Sequence, residues 1–340
     1  MSQDVTRLGR HDDWSGVRAV VAGFGVSGFA AADNLTHLGA SVVALDETSD
    51  GKEEEAELLG VLGAEIRLGR GSTATLPDQV DLLVVSPGWR PTAPLLAQAH
   101  ERGIPVWGEV ELAWRLRDAG PAGRPAPWLA VAGTHGTSTT VAMLLAILQA
   151  AGLRSIAAGS PGIPLVEAVM DPAPYDVLAV GLSSLQLHYV ESMSAESAVV
   201  LNLADDHPAS YSGPTAHSDY ATDTGRIYDG VRKACVYNVA DPETERLVRD
   251  ADVAEGARAI GFTLGMPAVG MVGVVEGILV DRAFIAERQS SAAELCTVED
   301  LASDEPHVVA DALAAAALAR AHGVPQAAVR DGLRAFRQPE

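Results

Sequence analysis

The chain has 340 residues and a formal net charge of −21, with 45 Asp and Glu against 24 Lys and Arg. Such a field repels polyanions, so we expect no nucleic-acid partner. The first residues lack a secretory signal, and the apolar runs are broken well before the roughly 18 residues of a membrane span. The two cysteines, Cys235 and Cys296, lie far apart and in no metal-ligand spacing. These features predict a cytoplasmic protein without a membrane partner.

The first part of the chain alternates between patterns typical of buried strands and of helices. The predicted strands span residues 17–22, 41–45, 80–85 and 105–107. The predicted helices span residues 29–38, 94–101 and 109–117, and the acidic run 53–55 indicates a solvated helix face. This alternation predicts a parallel, doubly wound sheet with ligand-binding loops at its carboxyl edge.

A glycine-rich turn, Gly23-Phe-Gly-Val-Ser-Gly28, follows the first predicted strand, and an acid, Asp46, comes about 20 residues further on. The pattern G-x-G-x-x-G between a strand and a helix is typical of a dinucleotide site, because it lets a phosphate approach the helix N-terminus. Taken alone, it favours an NAD(P)-dependent oxidoreductase. It is also compatible with another phosphorylated ligand, or with plain packing of the helix on the strand.

A stretch rich in Pro and Gly, residues 118–127, predicts a linker between two domains. We place the first domain at residues 1–118, the linker at 119–127 and the second domain at 128–340. Strands are predicted at residues 128–132, 177–180, 198–203, 234–238 and 258–262, and helices at 141–151, 308–321 and 326–335. The second domain is therefore predicted to be α/β as well.

The second domain opens with Val131-Ala-Gly-Thr-His-Gly-Thr-Ser-Thr-Thr140, which has a predicted strand before it and a predicted helix after it. This is the setting of a phosphate-binding loop. Where that loop has Lys followed by Ser or Thr, the chain has Thr137 and Ser138. A threonine hydroxyl cannot place a positive charge between the outer phosphates of a nucleotide.

Taken together, the phrases of the chain resemble the first two domains of the Mur ligases, most closely the MurD-like members. The phrases that carry the resemblance are Gly23 to Gly28, Ser86-Pro87-Gly88, Val131 to Thr140, Leu182 to Leu187, Leu201 to His207, Gly225 to Tyr228, Tyr237 to Asp241 and Gly332 to Phe336. The resemblance implies an α/β fold with a Rossmann-like N-terminal domain and a P-loop-type central domain. The family's third, C-terminal domain is expected to be absent from these 340 residues.

The resemblance also implies a ligand for each domain. The glycine-rich turn of the first domain would hold the uridine diphosphate of a sugar nucleotide instead of NAD. The implied nucleotide or UDP-sugar site comprises Gly23, Gly25, Val26, Ser27, Gly28, Asp46, Glu47, Ser86, Pro87 and Gly88. The implied ATP loop, which we interpret as vestigial, comprises Gly133, Thr134, His135, Gly136, Thr137, Ser138 and Thr139. Ser138 and His207 stand at metal-ligand positions.

In this family the implied reaction is a ligation in which ATP phosphorylates a carboxylate and an amine then attacks the acyl phosphate. Residues that support this chemistry in the family are replaced at several positions. Thr137 stands for the loop lysine, Gly181 for an acidic metal ligand, and Thr224 for a lysine that becomes carbamylated. Val308 and Asp311 stand where two Asn are expected. Because these positions are substituted, we assign no catalytic residue in this chain.

We weigh three functions. The leading hypothesis is a pseudoenzyme that has lost ATP-dependent ligase activity, keeps a UDP-sugar or nucleotide site, and acts as a binding, regulatory or partner protein. The alternative is an ADP-forming amide ligase, active alone or completed by a protein partner. It would join an amino acid such as D-glutamate to UDP-N-acetylmuramoyl-L-alanine or a related carboxylate, and would use ATP and Mg²⁺. An NAD(P)-dependent oxidoreductase is the third hypothesis.

Overall fold

The chain folds into two compact units in the computed structural model, which describes residues 4–120, 123–205, 211–213 and 215–337. The first unit extends to Pro125 and also includes Pro164–Ala173 and His188–Ser192. The second unit holds Ala126–Ile163, Pro174–Leu187 and the described residues from Met193 onward. The two short inserted segments had been assigned to the second domain from the sequence. The limits of the linker stay a prediction.

Strands and helices are numbered along the described chain. The strands are Arg18–Ala22 (β1), Ser41–Asp46 (β2), Glu65–Leu68 (β3), Leu82–Val85 (β4), Val106–Gly108 (β5), Trp128–Ala132 (β6), Ser155–Gly159 (β7), Val177–Gly181 (β8), Ser197–Val200 (β9), Ala234–Asn238 (β10), Arg258–Phe262 (β11), Met271–Val275 (β12), Ile278–Asp281 (β13) and Ala293–Thr297 (β14). The helices are Val26–His37 (α1), Glu53–Val61 (α2), Pro94–Glu101 (α3), Glu109–Arg115 (α4), Thr137–Ala150 (α5), Leu165–Met170 (α6), Ser184–His188 (α7), Ala216–Gly225 (α8), Pro242–Asp250 (α9), Pro306–His322 (α10) and Gln326–Ala335 (α11).

The first unit contains a parallel sheet in the order β3-β2-β1-β4-β5. Its central strands β1 and β4 are almost wholly buried, as expected for parallel strands covered on both faces. The strand order reverses between β1 and β4. Because parallel strands end at the same edge, the sheet brings together Gly23 after β1, Asp46 at the end of β2 and Ser86 after β4. The predicted Rossmann-like α/β architecture is confirmed.

The second unit contains a sheet in the order β14-β13-β12-β11-β10-β9-β6-β8-β7. Strands from β7 to β12 pair in parallel, whereas β12, β13 and β14 pair antiparallel. A two-residue turn joins β12 to β13, and both of its residues have positive φ, 49° at Glu276 and 77° at Gly277. Such a turn matches the twist of a hairpin. This antiparallel extension was not predicted from the sequence.

The core of the second unit is built around the alanine-rich helix α10, whose residues Ala312 to Ala319 are fully buried. Small side chains let this helix lie close to α5 and to the central strands. Helix α11 also approaches α5 closely, because a Cβ on Gly332 would lie 2.4 Å from the Cα of Ile147. Helix α5 begins at Thr137, four residues before the predicted start, so it follows the glycine-rich turn directly. In the described part of the chain no helix has the length and apolarity of a membrane span.

Candidate nucleotide-binding sites

A cavity of about 690 Å³ lies at the carboxyl edge of the first sheet. The glycine-rich turn after β1, the end of β2 and the loop after β4 form its walls. Its lining includes Gly23, Gly25, Asp46, Thr48, Lys52, Ser86, Pro87, Gly88, Trp89, Arg90 and Thr92. This volume suits a nucleotide-sized ligand. The structure thus places six of the ten predicted nucleotide-site residues in one cavity.

The three glycines of the turn have different roles. A Cβ on Gly28 would lie 1.8 Å from the carbonyl oxygen of Gly23, and one on Gly23 would lie 2.8 Å from the Cβ of Ser86. Gly23 also has a positive φ of 92°, and its carbonyl accepts a hydrogen bond from Ser86 Oγ at 2.8 Å. Packing therefore requires these two glycines. A Cβ on Gly25 would meet no atom within 4 Å, so Gly25 leaves the start of α1 open to the cavity.

Asp46 fastens the turn to the end of β2. Its Oδ2 accepts hydrogen bonds from the Phe24 N–H at 2.7 Å and from Lys52 Nζ at 2.6 Å. Its Oδ1 accepts from the N–H and the hydroxyl of Thr48, both at 2.9 Å. Burial alone would raise the pKa of Asp46, but these hydrogen bonds outweigh it and lower the pKa to about 2. Because both oxygens are engaged, the carboxylate does not offer the free acceptor that an NAD ribose would need.

The Asp46→Asn variant tests this fastening role. We expect it to lose roughly 1.5–3 kcal/mol of unfolding free energy, because charge-assisted hydrogen bonds are removed and Lys52 loses its carboxylate partner. The folded pKa of about 2 lies below the unfolded value near ~3.9, so the wild-type stabilisation is complete above about pH 5 and is lost as the pH falls toward 2. Urea unfolding from pH 2.5 to 7 measures both effects. The exposed Asp50→Asn is the control, and equal pH slopes in wild type and Asp46→Asn would contradict the assignment.

Two cations of the cavity were missed from the sequence. Lys52, one of two lysines in the chain, is 18% exposed and pairs with Asp46. Arg90 is exposed on the loop after β4, and within the described residues no acid pairs with its guanidinium. The scarcity of lysine could have drawn attention to Lys52. Arg90 supplies positive charge that a ligand's phosphate can use.

The other predicted residues of this site do not line the cavity. Glu47 turns away, and its carboxylate accepts from the N–H groups of Gly71 at 2.9 Å and Thr73 at 3.1 Å and from the Thr73 hydroxyl. It therefore anchors a neighbouring loop. Val26 is exposed in the first turn of α1, followed by the half-buried Ser27 and the buried Gly28 behind them.

The second candidate site is the turn between β6 and α5, with a φ of 151° at Gly133 and 88° at Gly136. Asn202 holds the turn, because its side chain donates to the His135 carbonyl at 3.0 Å and accepts from the His135 N–H at 2.9 Å. The Thr134 hydroxyl accepts from the Ala204 N–H and bonds to Tyr220 Oη at 2.8 Å. Asn202 lies in the phrase Leu201 to His207, which carries part of the family resemblance, but the sequence does not reveal that it holds the turn.

The first backbone hydrogen bond of α5 runs from the Thr140 N–H to the Gly136 carbonyl, so among the described residues no acceptor takes the N–H groups of residues 136–139. The 14-residue helix α5 adds its positive dipole end at the same place. A phosphate anion fits this arrangement. At the position of the phosphate-loop lysine, Thr137 points its hydroxyl back toward the Gly133 carbonyl at 3.5 Å. The turn therefore offers backbone donors to an anion, and Thr137 adds no positive charge.

The positions predicted to hold a metal or to act in catalysis are described only in part. Gly181 ends β8 against Ser160, and Thr224 is buried in α8 with its hydroxyl donating to the Tyr220 carbonyl at 2.8 Å. His207 lies outside the described residues. Ser138 is exposed at the start of α5. Across the described ranges no group of three or more His, Cys, Asp or Glu side chains could hold a metal ion. The described residues thus fit a phosphate, and among them no Mg²⁺ site is formed.

Asp311 of α10, a position assigned from the sequence to an expected Asn, lies against the second turn. Its Oδ1 is 2.4 Å from the point where a Cβ on Gly136 would lie. No local sequence signal places this residue beside a turn that is 175 positions earlier in the chain.

Comparisons with known proteins agree with both units. Residues 17–108 match a family model described as Mur ligase MurD-like, N-terminal domain, and residues 131–298 match one described as Mur ligase middle domain. The UDP-N-acetylmuramoylalanine–D-glutamate ligase of Streptomyces avermitilis is 56% identical over 326 residues, which cover 96% of this chain and 68% of that protein. The enzyme of the same name from Streptomyces coelicolor is also 56% identical, with 95% and 68% covered. The chain thus spans about two thirds of these relatives' length.

A solved structure shares the fold. It is the UDP-N-acetylmuramate:L-alanyl-gamma-D-glutamyl-meso-diaminopimelate ligase from Neisseria meningitides, with a TM-score of 0.60 and 18% sequence identity. The alignment covers 95% of this chain and 99% of that one. At this identity the likeness concerns the fold alone.

These comparisons correct the leading functional hypothesis. The chain was predicted to have lost ligase activity and to act as a pseudoenzyme. That prediction is contradicted, because relatives 56% identical over nearly the whole chain are named as ligases. The leaning against an enzyme is wrong for the same reason, and the description of residues 133–139 as a vestigial loop gains no support. The prediction treated each replaced side chain as a lost function, although a charge can reach a bound phosphate from another part of an assembly.

Proposed function

Because this chain belongs to the Mur ligase family, we propose that it carries the sugar-nucleotide site and the ATP site of an ADP-forming amide ligase. The proposed reaction joins D-glutamate to UDP-N-acetylmuramoyl-L-alanine. The observation that carries this proposal is the 56% identity with two ligases named for that reaction. A cytoplasmic location belongs to the same proposal and accords with two buried, unpaired thiols, Cys235 and Cys296.

The first unit would bind the sugar nucleotide. Its cavity combines the open start of α1 at Gly25 with the guanidinium of Arg90, so a diphosphate would meet backbone N–H groups and one positive side chain. Asp46 and Lys52 would act indirectly, since their ion pair holds the shape of the turn. The Trp89 side chain on the same loop offers an aromatic surface to the rest of the ligand.

The second unit would bind ATP, which when bound supplies the phosphoryl group that activates the substrate carboxylate. The N–H groups of residues 136–139 would hold a phosphate, and Asn202 would keep the turn in the conformation that presents them. Since Thr137 brings no charge, the outer phosphates would be neutralised by a cation from outside the turn. In this proposal a protein partner completes the site.

The direct test is a ligation assay with the 340-residue chain, alone and together with proteins that copurify with it. UDP-N-acetylmuramoyl-L-alanine, D-glutamate and Mg-ATP are supplied, and ADP and the mass of the amide product are measured. We expect product that depends on all three substrates. If neither preparation forms ADP or amide, the proposed function is wrong.

The Arg90→Ala variant tests the first site within that assay. We expect the KM for the sugar nucleotide to rise roughly 10-fold or more, because a charge-assisted hydrogen bond to the ligand is lost, with little change in kcat. Arg70→Ala is a matched control, since Arg70 is an exposed arginine of the same unit outside the cavity lining. Equal KM values for the two variants would show that Arg90 does not bind the sugar nucleotide.

A further inference from the structure

Asp311 is a buried acid that faces the turn of residues 133–139. The residue is 5% exposed. Its Oδ1 and Oδ2 lie 2.4 and 3.1 Å from the point where a Cβ on Gly136 would lie, so both oxygens reach the backbone at the start of α5. Within the described chain Oδ2 has no hydrogen-bond partner. A carboxyl group thus lies beside the N–H groups that suit a phosphate, and part of its bonding capacity is unused.

Among the described elements that pack on α10, none supplies a cation that pairs with Asp311. Helix α5 and strands β9 and β12, which pack on α10, carry no ionisable side chain. The ionisable groups on the other packed elements are Cys235 and Tyr237 on β10, Arg258 on β11, and Arg330, Asp331 and Arg334 on α11. The three arginines bond to Ala283, Asp331 and Asp300, respectively. On α10 itself His307, Arg320 and His322 pair with Glu305, Asp281 and Glu196. His135 of the turn has an exposed side chain.

Burial raises the pKa of Asp311 to about 7. The Thr140 hydroxyl opposes this rise, but it does not reach hydrogen-bond geometry with either oxygen. When ionised, Asp311 would place a negative charge beside the anion-binding N–H groups, and a bound phosphate would be repelled. When protonated, it carries one O–H donor and retains acceptor capacity. The ionised form of Asp311 therefore opposes binding of a phosphate at the turn, and the protonated form favours it.

We infer that the turn of residues 133–139 binds a phosphate group together with one proton, which is taken from solvent and held on the carboxyl group of Asp311. The inference rests on the proposed function for the identity of the ligand as a nucleotide. Asp311 is then a positioning residue, because in its neutral form it allows the backbone N–H groups to meet the phosphate and can donate its own hydrogen bond. Binding of a nucleotide and uptake of a proton are one linked equilibrium.

The test is calorimetric titration with ADP without metal, from pH 6 to 9, on the wild-type chain and on Asp311→Asn. The asparagine amide has the same shape as the carboxyl group and cannot ionise. Comparison with this variant therefore also removes the contribution of ADP's own titration. Relative to this variant, we expect wild-type affinity to fall about tenfold for each pH unit well above pH 7, as one linked proton requires. Titrations at pH 7.5 in two buffers of different ionisation enthalpy should show more proton uptake in the wild type.

Thr140→Val gives a second, independent measurement. Removal of the hydroxyl that favours the ionised form should move the pH dependence of ADP binding to higher pH. If ADP binds and the wild type and Asp311→Asn have the same pH profile and proton uptake, the inference is overturned while the proposed function stands. If ADP binds neither protein between pH 6 and 9, the inference is overturned, and the ligation assay with copurifying proteins then decides separately whether the proposed function holds.

Discussion

Replacing Gly28 with alanine is expected to destabilise the first unit by about 3 kcal/mol or more. The added Cβ would lie 1.8 Å from the carbonyl oxygen of Gly23 and 2.6 Å from Ser86 Oγ. These atoms cannot move apart easily, because Ser86 Oγ donates to that same carbonyl. Alanine favours a helix by about 1 kcal/mol over glycine, and the overlap outweighs this gain.

Tryptophan fluorescence during urea unfolding measures this effect, because four of the five tryptophans, Trp14, Trp89, Trp107 and Trp114, belong to the first unit. Gly25→Ala is the matched control in the same turn. Its Cβ would meet nothing within 4 Å, so stability should change by less than about 0.5 kcal/mol. Binding of uridine diphosphate should weaken in this control, since the methyl group enters the cavity. Equal urea midpoints for the two variants would show that the turn has relaxed around residue 28.

Local sequence patterns were sufficient for the central parallel strands of both sheets. Strands such as Trp128–Ala132 and Ala234–Asn238 were predicted at their observed limits, because a buried parallel strand is a continuous apolar run with polar or glycine residues at its end. Helices α3 and α11 were also predicted at their observed limits. Edge elements were missed where burial is partial, and β3 is an example, with alternating exposed and half-buried residues.

The hairpin of β12 and β13 was missed for a different reason. Its strands are apolar and could have belonged to a further parallel pair. The signal that identifies it is the Glu276-Gly277 pair between apolar runs, with both residues in the left-handed region. More weight on this two-residue turn would have predicted the antiparallel edge.

Side-chain contacts at the candidate sites could not be predicted from the sequence. The sequence places Asp46 after a strand, as a nucleotide-binding acid would be, but only the structure shows that Lys52, Thr48 and the Phe24 N–H occupy its oxygens. Likewise, Asp311 meets Gly136 only because α10 packs on α5. The resemblance pointed to both loops, whose binding role stays a prediction, and Asp311 reaches the second loop from an element that no spacing rule connects to it.

Restoring an acid at position 181 is expected to destabilise the second unit instead of creating a metal ligand. A Cβ there would lie 2.3 Å from the Ser160 carbonyl oxygen, and Gly181 O already accepts from the Ser160 N–H at 2.8 Å. Because the overlap begins at Cβ, Gly181→Ala and Gly181→Glu should both lose about 3 kcal/mol or more, with the larger loss for the charged side chain.

Thermal unfolding followed by circular dichroism, with and without Mg²⁺, separates the two interpretations of position 181. Gly265→Ala is the control in the same unit, since its Cβ would lie 3.8 Å from the nearest atom, Thr263 Oγ1, and should be tolerated. A Gly181→Glu variant that unfolds like this control and gains stability from Mg²⁺ would mean that the Ser160 segment moves aside and that a metal site can form there. The close packing at Gly181 predicts the opposite, and in that case any metal used in the proposed reaction is held by groups outside β8.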